Sequence, residues 1–220
     1  MKKIIYPAKY SDKFGTVKTE IINDGKELSI KIREVEFKDM DFDLLTPISG
    51  TPSEKLTNFT LNNSKELCDF KLECDIPILI GKNTDGINGI LKMELVLGKP
   101  TPKGNVDHED LKLELIFNDK KIESSGKSGW FEDEMLDIQK KLPLGYYLKC
   151  CFGCLYSDYS VAGHGLFGNM MCYRNTKEEY LAVKNKIDYI DIMDKMTEDV
   201  QETHLCPEFK KRVAGTGYRG

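Results

Sequence analysis

Apolar and polar residues alternate along much of the first half of the chain. The alternation runs over residues 17–21 and resumes over residues 28–32, with Asp24-Gly25 between the two stretches. Side chains of a strand point to opposite faces in turn, so alternation of this kind indicates a half-buried strand. Glycine accepts the positive φ that a primed turn requires. The stretch therefore predicts a β-hairpin.

The most regular pattern covers residues 68–80, where every even position is apolar. These positions are Cys68, Phe70, Leu72, Cys74, Ile76, Ile78 and Ile80. Their shared parity places them on one face of a single strand. Pro77 has no backbone donor, which predicts a bulge or a sheet edge at that point. Cys68 and Cys74 are expected to be small buried residues of this face and not metal ligands.

Two further strands are predicted at residues 91–97 and 111–117, where the odd positions are apolar. The intervening segment contains Pro and Gly, and residues 39–66 are rich in Pro, Asn, Ser and Thr, which favours irregular loops. Strands that each carry one apolar face and are joined by turns are typical of an antiparallel sheet.

A helix is predicted after residue 128. Acidic residues occupy its first turns and lysines its last turn, which suits the helix macrodipole, and Ser128 is the expected N-cap. Its apolar stripe consists of Phe131, Met135, Ile138 and Leu142. The preceding Gly126-Lys127-Ser128 resembles the end of a phosphate-binding loop, but Lys121 stands where that motif needs its first glycine. Nucleotide binding is therefore disfavoured.

A second helix is predicted from Thr176, which forms a capping-box pattern with Glu179. Its apolar face would consist of Tyr180, Val183 and Ile187. Residues 189–192 alternate and are interpreted as a short strand.

These patterns predict an α+β fold. An antiparallel β-sheet or sandwich-like N-terminal part, residues 1–126, is followed by a smaller cysteine-rich α+β part with two helices, residues 127–220. The second part is expected to pack on the first, either as a separate domain or as part of one continuous domain.

Composition narrows the functional classes. The 220 residues are 40% hydrophobic and 31% charged, with a net charge of −4, and neither part is basic, so no nucleic-acid partner is expected. Only Ile4, Ile5 and Tyr6 separate Lys3 from Pro7, whereas a secretory signal needs about 7–15 apolar residues. No run approaches the roughly 20 apolar residues of a membrane span. A cytoplasmic protein without membrane association is expected.

Seven cysteines in a reducing compartment call for a chemical explanation other than disulfides. Cys151-Phe-Gly-Cys154 forms a C-x-x-C turn, and Cys172 and Cys206 supply two more thiols. Four thiolates in a tetrahedral arrangement are a preferred ligand set of Zn²⁺. The favoured interpretation is a structural zinc site formed by Cys151, Cys154, Cys172 and Cys206. His164 or His204 could replace one of the cysteines.

Three alternatives stay open for the same residues. The thiols could be inert buried side chains, since free cysteine is often part of a core. The C-x-x-C could be a redox motif, although no βαβ pattern surrounds it. A nucleophilic cysteine could use His164 or His204 as base with Asp158 orienting it, and a thiol-dependent or zinc-dependent enzyme would have its site at Cys151, Cys154 and His164.

The last residues also allow two interpretations. Residues 201–220 end in glycine-rich turns that carry Tyr218 and Arg219. The segment is either a free tail or a docked one, with Tyr218 packed and Arg219 paired to a carboxylate.

Several stretches of the chain together resemble an uncharacterised bacterial domain family of unknown function. They are Gly-Trp-Phe-Glu at 129–132, Leu-Lys-Cys-Cys-Phe-Gly-Cys-Leu-Tyr-Ser-Asp-Tyr at 148–159, Phe-Gly-Asn-Met-Met-Cys-Tyr-Arg at 167–174, Gln-Glu-Thr-His-Leu-Cys-Pro-Glu-Phe at 201–209 and Gly-Thr-Gly-Tyr-Arg-Gly at 215–220. The resemblance implies bacterial origin and no particular activity. The functional expectation is a non-enzymatic protein with a structural zinc that binds another protein, in an immunity or accessory role.

Overall fold

The computed structural model describes residues 3–83 and 85–219. The chain divides into two compact units, the first formed by residues 1–77 and 89–142 and the second by residues 78–88 and 143–220. This division differs from the expected boundary at residue 126. Whether the cysteine-rich part is a separate domain or part of one continuous domain stays a prediction.

The first unit is an antiparallel sheet with short helices. Its elements are β1 (Ile4–Asp12), β2 (Gly15–Asn23), β3 (Leu28–Ile32), β4 (Val35–Asp39), β5 (Thr46–Pro47), α1 (Ser53–Leu56), β6 (Thr60–Leu61), β7 (Leu67–Cys68), β8 (Phe70–Lys82), β9 (Asp85–Leu97), β10 (Glu109–Phe117), β11 (Lys120–Glu123) and α2 (Phe131–Lys141). The ends of β8 and β9, within residues 78–88, belong to the second unit. The α+β fold class with a large antiparallel sheet is confirmed.

Strands β11, β10, β9, β8, β1, β2, β3, β4 and β5 follow one another in the sheet in that order. Neighbours along the chain pair as hairpins, as in the predicted β2–β3 pair, where Ile21 lies opposite Ile30. The turn between these strands has Gly25 at φ +92°, the positive φ that the sequence predicted. Short connections of this kind explain the antiparallel order.

The apolar positions that alternate along the sequence are the buried positions of the strands. Every even position from Phe70 to Ile80 is buried, as are the odd positions of 91–97 and 111–117, and Leu113 lies opposite Met93. Cys74 is 3% exposed and Cys68 is 1% exposed, as expected for small residues of the apolar face. The members of this set at positions 70–76, 91–97 and 111–117 form the core of the first unit, because burial of apolar surface favours folding.

Strand β1 was missed by the sequence analysis. Tyr6 and Tyr10 alternate within it and are buried, but Pro7 and several polar residues obscure the period. Strand β1 pairs with β8 only from Ala8 to Asp12, and the ladder reaches no further than Cys74 on β8. Pro77 lies beyond that ladder, so its missing amide interrupts no β1–β8 pair.

The predicted helix is α2, and its buried residues include Phe131, Met135 and Ile138 as expected. The expected N-cap was wrong. Trp130 occupies the cap position, while the Ser128 hydroxyl donates to the Glu134 carboxylate over 2.8 Å. Glu134 accepts from both the amide and the hydroxyl of Ser128, and the Ser128 oxygen in turn accepts from the Trp130 amide, so the serine belongs to the loop before α2.

The second unit contains the cysteine-rich stretch. Its further elements are β12 (Tyr146–Leu148), β13 (Ser157–Tyr159), β14 (Met170–Cys172), α3 (Lys177–Leu181), α4 (Lys186–Ile190), β15 (Glu198–Val200) and 3-10 turns at Cys151–Gly153 and Met193–Lys195. Strands β13, β14 and β15 form a three-stranded antiparallel sheet in that order.

The second predicted helix is divided into α3 and α4. Asn185 caps α4 by accepting hydrogen bonds from the amides of Ile187 and Asp188, and this cap starts a new helix where continuation was expected. The capping box at Thr176 was wrong, because its hydroxyl donates to the Lys195 carbonyl. Ile187 is 72% exposed and does not share the buried face of Tyr180.

The short strand predicted over residues 189–192 was also wrong. Tyr189 and Ile190 end helix α4, and Ile192 precedes a 3-10 turn. Alternation over four residues does not distinguish a strand from one helical turn.

Aromatic residues dominate the core of the second unit. Tyr173 and Tyr180 stack with ring centroids 4.8 Å apart, and Tyr189 meets Tyr173 edge-on at 5.7 Å. Such pairs add to the area that the rings bury. Their cluster also includes Cys154, Leu155, Tyr156, Met171, Val183 and Ile192.

Across residues 3–83 and 85–219, no helix combines the length and the apolar character that crossing a membrane requires.

Candidate functional site

The first two predicted ligands lie in one tight turn of the second unit. Strand β12 pairs Leu148 with Ile80, and the Lys149 amide continues the pairing with the Leu79 carbonyl over 2.8 Å. The chain then turns within three residues, since the Cys154 amide donates to the Cys151 carbonyl over 3.0 Å. We call residues 150–154 the cysteine turn.

Gly153 is required by this geometry. A Cβ atom at this position would lie 2.3 Å from the carbonyl oxygen of Leu148. The contact is with the backbone, which cannot rotate away as a side chain can. The glycine therefore permits the close return of the chain on strand β12.

Cys172 reaches the same region through strand pairing. Strand β13 begins three residues after Cys154, and its Ser157 lies opposite Cys172 on β14. The Tyr173 amide continues this pairing by donating to the Tyr156 carbonyl over 2.8 Å. The third predicted ligand is thus positioned by β13–β14 register.

Cys206 lies on a segment that runs along the cysteine turn. We call residues 202–219 the strap. The amides of Cys151 and Phe152 donate to strap carbonyls of His204 and Glu202 over 2.6 and 2.9 Å. Further along, Cys154 bridges to Lys211. The backbone therefore brings all four predicted ligand segments together.

The electrostatic environment of Cys151 reflects this gathering. Burial raises the pKa of its thiol strongly, and the nearby thiols of Cys150, Cys154, Cys206 and Cys172 each raise it further. Among the seven cysteines, Cys206 is partly exposed and the others are buried. A thiol in this environment is protonated at neutral pH unless a cation compensates its charge.

Cys150, which was left outside the predicted set, is a fifth thiol of this cluster. Burial raises its pKa to about 12, although the backbone amides of Gly153 and Phe152 hydrogen-bond to it and act in the opposite direction. Its solvent exposure is 0%. The sequence signal for it was only its adjacency to Cys151.

No group of three or more His, Cys, Asp or Glu side chains is arranged to hold a metal ion within the described part of the chain. The four predicted ligands are near neighbours all the same, since the thiols of the other three act on Cys151. The zinc site stays a prediction.

The two histidines that could replace a cysteine ligand, His164 and His204, have different surroundings. The His164 ring stacks on Tyr159 with centroids 4.2 Å apart, and its Nδ1 lies 2.8 Å from the Gly165 carbonyl oxygen. His204 is the third residue of the strap, and burial lowers the pKa of its ring. His204 contributes its carbonyl oxygen to the cysteine turn through the bond from Cys151.

Asp158 holds the end of the strap. Its side chain is 1% exposed and accepts hydrogen bonds from the Tyr180 hydroxyl at 2.8 Å and from the Arg219 amide at 2.9 Å. The guanidinium groups of Arg212 and Arg219 lie 3.9 and 3.8 Å from its oxygens. The ring of Tyr218 stacks on Tyr189 with centroids 5.0 Å apart. The tail is docked, as the second of the two sequence interpretations had it.

Glu202, at the start of the strap, was missed by the sequence analysis. It is 0% exposed and accepts from the Gly168 amide at 2.8 Å and the Tyr159 hydroxyl at 3.1 Å. Burial raises its pKa to about 7, although these hydrogen bonds and the nearby His164 favour the charged form. A glutamate in a polar stretch carries no sequence signal of burial.

The amides of Gly126, Lys127 and Ser128, in the first unit, converge on one anion. They donate to the Glu134 carboxylate over 2.7, 3.1 and 3.1 Å. Glu134 is 0% exposed. The loop that resembled a phosphate-binding motif is therefore occupied by a carboxylate of its own chain.

Comparison with known proteins gives one match. The model of the Family of unknown function (DUF6304) matches residues 4–157. No curated protein and no solved structure matches the chain. The match includes Cys151 and Cys154, whereas Cys172 and Cys206 follow it. Bacterial origin stays a prediction. Because the match spans well over half of the sequence, the chain belongs to the Family of unknown function (DUF6304).

Proposed function

We propose that the protein is a non-enzymatic bacterial module that holds a structural Zn²⁺ through Cys151, Cys154, Cys172 and Cys206. The observation that carries the proposal is the backbone arrangement that brings the cysteine turn, strand β14 and the strap into one region, where the thiols of Cys154, Cys172 and Cys206 each act on the pKa of Cys151. Their backbone segments are separated by up to 55 positions and meet through hydrogen bonds of the cysteine turn, strand β14 and the strap.

Ligand chemistry supports zinc over other occupants. Buried thiols ionise only when a cation compensates their charge, and Zn²⁺ prefers four thiolates in tetrahedral geometry. The proposal requires that rotation about the Cα–Cβ bonds direct the four sulfurs to a common point. The Arg174 amide hydrogen-bonds to Cys172 and its guanidinium lowers the Cys172 pKa, against the larger effect of burial. Such outer contacts offset the negative charge of a four-thiolate site.

The thiol environment disfavours a nucleophilic cysteine. Catalytic cysteines have a lowered pKa, whereas burial raises the pKa of both Cys151 and Cys172. The alternative is a zinc-dependent enzyme in which His164 lies beside an open coordination position. X-ray absorption spectroscopy distinguishes the structural zinc site from a catalytic one. Four sulfur neighbours support the structural site, and three protein ligands with a water oxygen support catalysis.

Elemental analysis tests the proposal. The full chain, purified without chelator, is expected to contain about one zinc per molecule, and Cys151→Ser or Cys206→Ser to reduce this to less than about a tenth. Cys74→Ser is the matched control, because Cys74 is buried in β8 of the first unit. Cys150→Ser should also retain zinc. Wild-type protein that takes up no zinc, or a Cys206→Ser variant that binds it as tightly as wild type, would overturn the proposal.

The proposed activity is the binding of another protein, in an immunity or accessory role. Support comes from helix α4, where Ile187 is 72% and Ile190 50% exposed. Large exposed apolar side chains that lie together are typical of interaction surfaces. A partner retained by the wild type should be lost by the Ile187→Asp/Ile190→Asp variant and kept by Lys186→Glu. Retention of the partner by the double variant would refute this part of the proposal.

A further inference from the structure

We infer that the strap, residues 202–219, controls access to the thiols of the cysteine turn, and that the Asp158 carboxylate holds the strap closed. The inference goes beyond the proposed zinc site and does not depend on it, because it concerns the accessibility of thiols in metal-free protein. It rests on the contacts of three regions of the second unit: the cysteine turn, the strap and Asp158.

The strap covers the cysteine turn along its length. Backbone hydrogen bonds join the two at both ends of the turn, from Cys151 to His204 at 2.6 Å and from Leu155 to Lys210 at 2.6 Å. In the opposite direction, the Arg212 amide donates to the Gly153 carbonyl over 2.9 Å. Cys151 and Cys154 are only 4% and 5% exposed under this cover.

The middle of the strap, residues 210–215, offers few buried apolar groups, whereas Phe209 and Tyr218 on either side of it stack on Tyr147 and Tyr189. Lys210, Lys211, Val213, Ala214 and Gly215 are all exposed. Exposed backbone hydrogen bonds of this kind open locally at low free-energy cost. The middle of the strap therefore depends on contacts made on either side of it, and the charged contacts at its far end are the strongest candidates for an anchor.

Asp158 supplies that anchor. Its oxygens contact the amide of Arg219 at 2.9 Å and the guanidinium groups of Arg212 and Arg219 at 3.9 and 3.8 Å. Arg219 also donates to the Phe152 carbonyl over 2.6 Å and lies 4.9 Å from the centre of the Phe152 ring. One buried carboxylate thus joins the far end of the strap to the middle of the cysteine turn.

This arrangement predicts graded reactivity of the thiols. Cys206 is partly exposed and should react first with a thiol reagent. Cys151 and Cys154 should react only when the strap opens, because their rate follows the population of the open form. Removal of a charge at the anchor increases that population, since a buried ion pair that loses one partner is strongly destabilised.

The test is maleimide labelling of the full chain in the presence of a chelator, with each cysteine followed by peptide mass spectrometry. Asp158→Asn and, separately, Arg219→Gln are expected to accelerate labelling of Cys151 and Cys154 about tenfold or more, which corresponds to about 1.4 kcal/mol of opening free energy. Asp191→Asn, an exposed carboxylate of helix α4's C-cap, is the control and should leave the rates unchanged.

Cys68 and Cys74 report in the same molecule on general unfolding, because both are buried in the first unit. If Asp158→Asn does not fold, the labelling rates of Cys151 and Cys154 in Arg219→Gln decide the test. Unchanged labelling of Cys151 and Cys154 in both variants would overturn the inference. An acceleration at Cys74 equal to that at Cys151 in Arg219→Gln would overturn it too, because the opening would then be global. The measurement is equally valid if the protein binds no zinc, because the labelling is done in the presence of a chelator.

Discussion

At the scale of single residues, three buried carboxylates are stabilised in three different ways. Glu134 accepts from three backbone amides and two serine hydroxyls, Asp158 contacts two arginines and a tyrosine hydroxyl, and Glu202 accepts from two backbone amides (its own and that of Gly168) and one tyrosine hydroxyl. The number of donors opposes the desolvation that burial imposes on a charge. The pKa of Glu134 is consequently lowered, and that of Glu202 is raised.

Replacement of Glu134 by Gln should destabilise the first unit by about 2–4 kcal/mol at pH 7. The amide of glutamine cannot accept from every donor that now faces the carboxylate, so a buried N–H loses its partner. Urea unfolding measures the loss, with the exposed Asp133→Asn in the same helix as control. Equal midpoints for Glu134→Gln and wild type would contradict the interpretation.

Glu134 also predicts how the stability of the protein changes at acid pH. Burial acts to raise the pKa of Glu134, but hydrogen bonds from Ser124, Ser128 and Gly126 outweigh it, and the folded value lies below the ordinary 4.5. Its contribution to stability is therefore full above pH 4.5 and is lost as the pH falls through the folded pKa. The wild type should lose more stability than Glu134→Gln across that interval. Parallel stability curves for the two proteins would argue against it.

The buried Glu202 predicts a pH dependence of stability opposite to that of Glu134. Burial raises its pKa from 4.5 to about 7, so the folded protein holds this proton more tightly than the unfolded chain does. The resulting stability is present below pH 4.5 and declines as the pH rises to about 7. Glu202→Gln should exceed the wild type in stability by about 1–3 kcal/mol at pH 8 and match it near pH 4.5. Thermal unfolding at both pH values measures this, with the exposed Glu178→Gln as control.

At the scale of elements, the second unit depends on caps and turns more than on helix length. Helices α3 and α4 are five residues each, too short to be stable alone, and their burial of Tyr180 and Tyr189 holds them in place. Asn185 marks the boundary between them because its side chain satisfies two amides that the helix leaves unpaired.

Asn185→Ala should therefore destabilise the second unit by about 0.5–2 kcal/mol. Amide exchange of residues 187 and 188 should accelerate, since these are the amides that the side chain accepts from. Lys186→Ala, in the first turn of the same helix, is the control. Unaltered exchange at both amides in Asn185→Ala would show that the cap does not stabilise α4.

At the scale of the whole molecule, the proposed metal should affect the two units unequally. Removal of zinc by a chelator is expected to increase hydrogen exchange in residues 150–154, 170–172 and 202–212, because the ion would join these segments. Residues 91–97 and 111–117 of the first unit should exchange as before. Mass spectrometry of both states measures this. A uniform increase over all five segments would contradict a local role of the metal.

The sequence alone predicted the sheet of the first unit well. Strands β8, β9 and β10 were located from the parity of their apolar residues, because burial on one face of a strand leaves a local period of two. It predicted α2 from its stripe, although not its cap, because Glu134 holds both the amide and the hydroxyl of Ser128 in the loop before the helix. It missed β1, whose alternation is interrupted by Pro7, and it joined α3 to α4 across Asn185.

What the sequence by itself determined was local: the antiparallel strands, the α+β class and the presence of a cysteine turn around Gly153. Only the tertiary structure decided which distant residues meet, namely that Cys172 and Cys206 approach the cysteine turn and that Asp158 receives Arg212 and Arg219. The physical reason is the range of the interactions. Alternation and turn propensity act between residues a few positions apart, whereas a contact over 61 positions, as between Asp158 and Arg219, forms only when the intervening chain has folded.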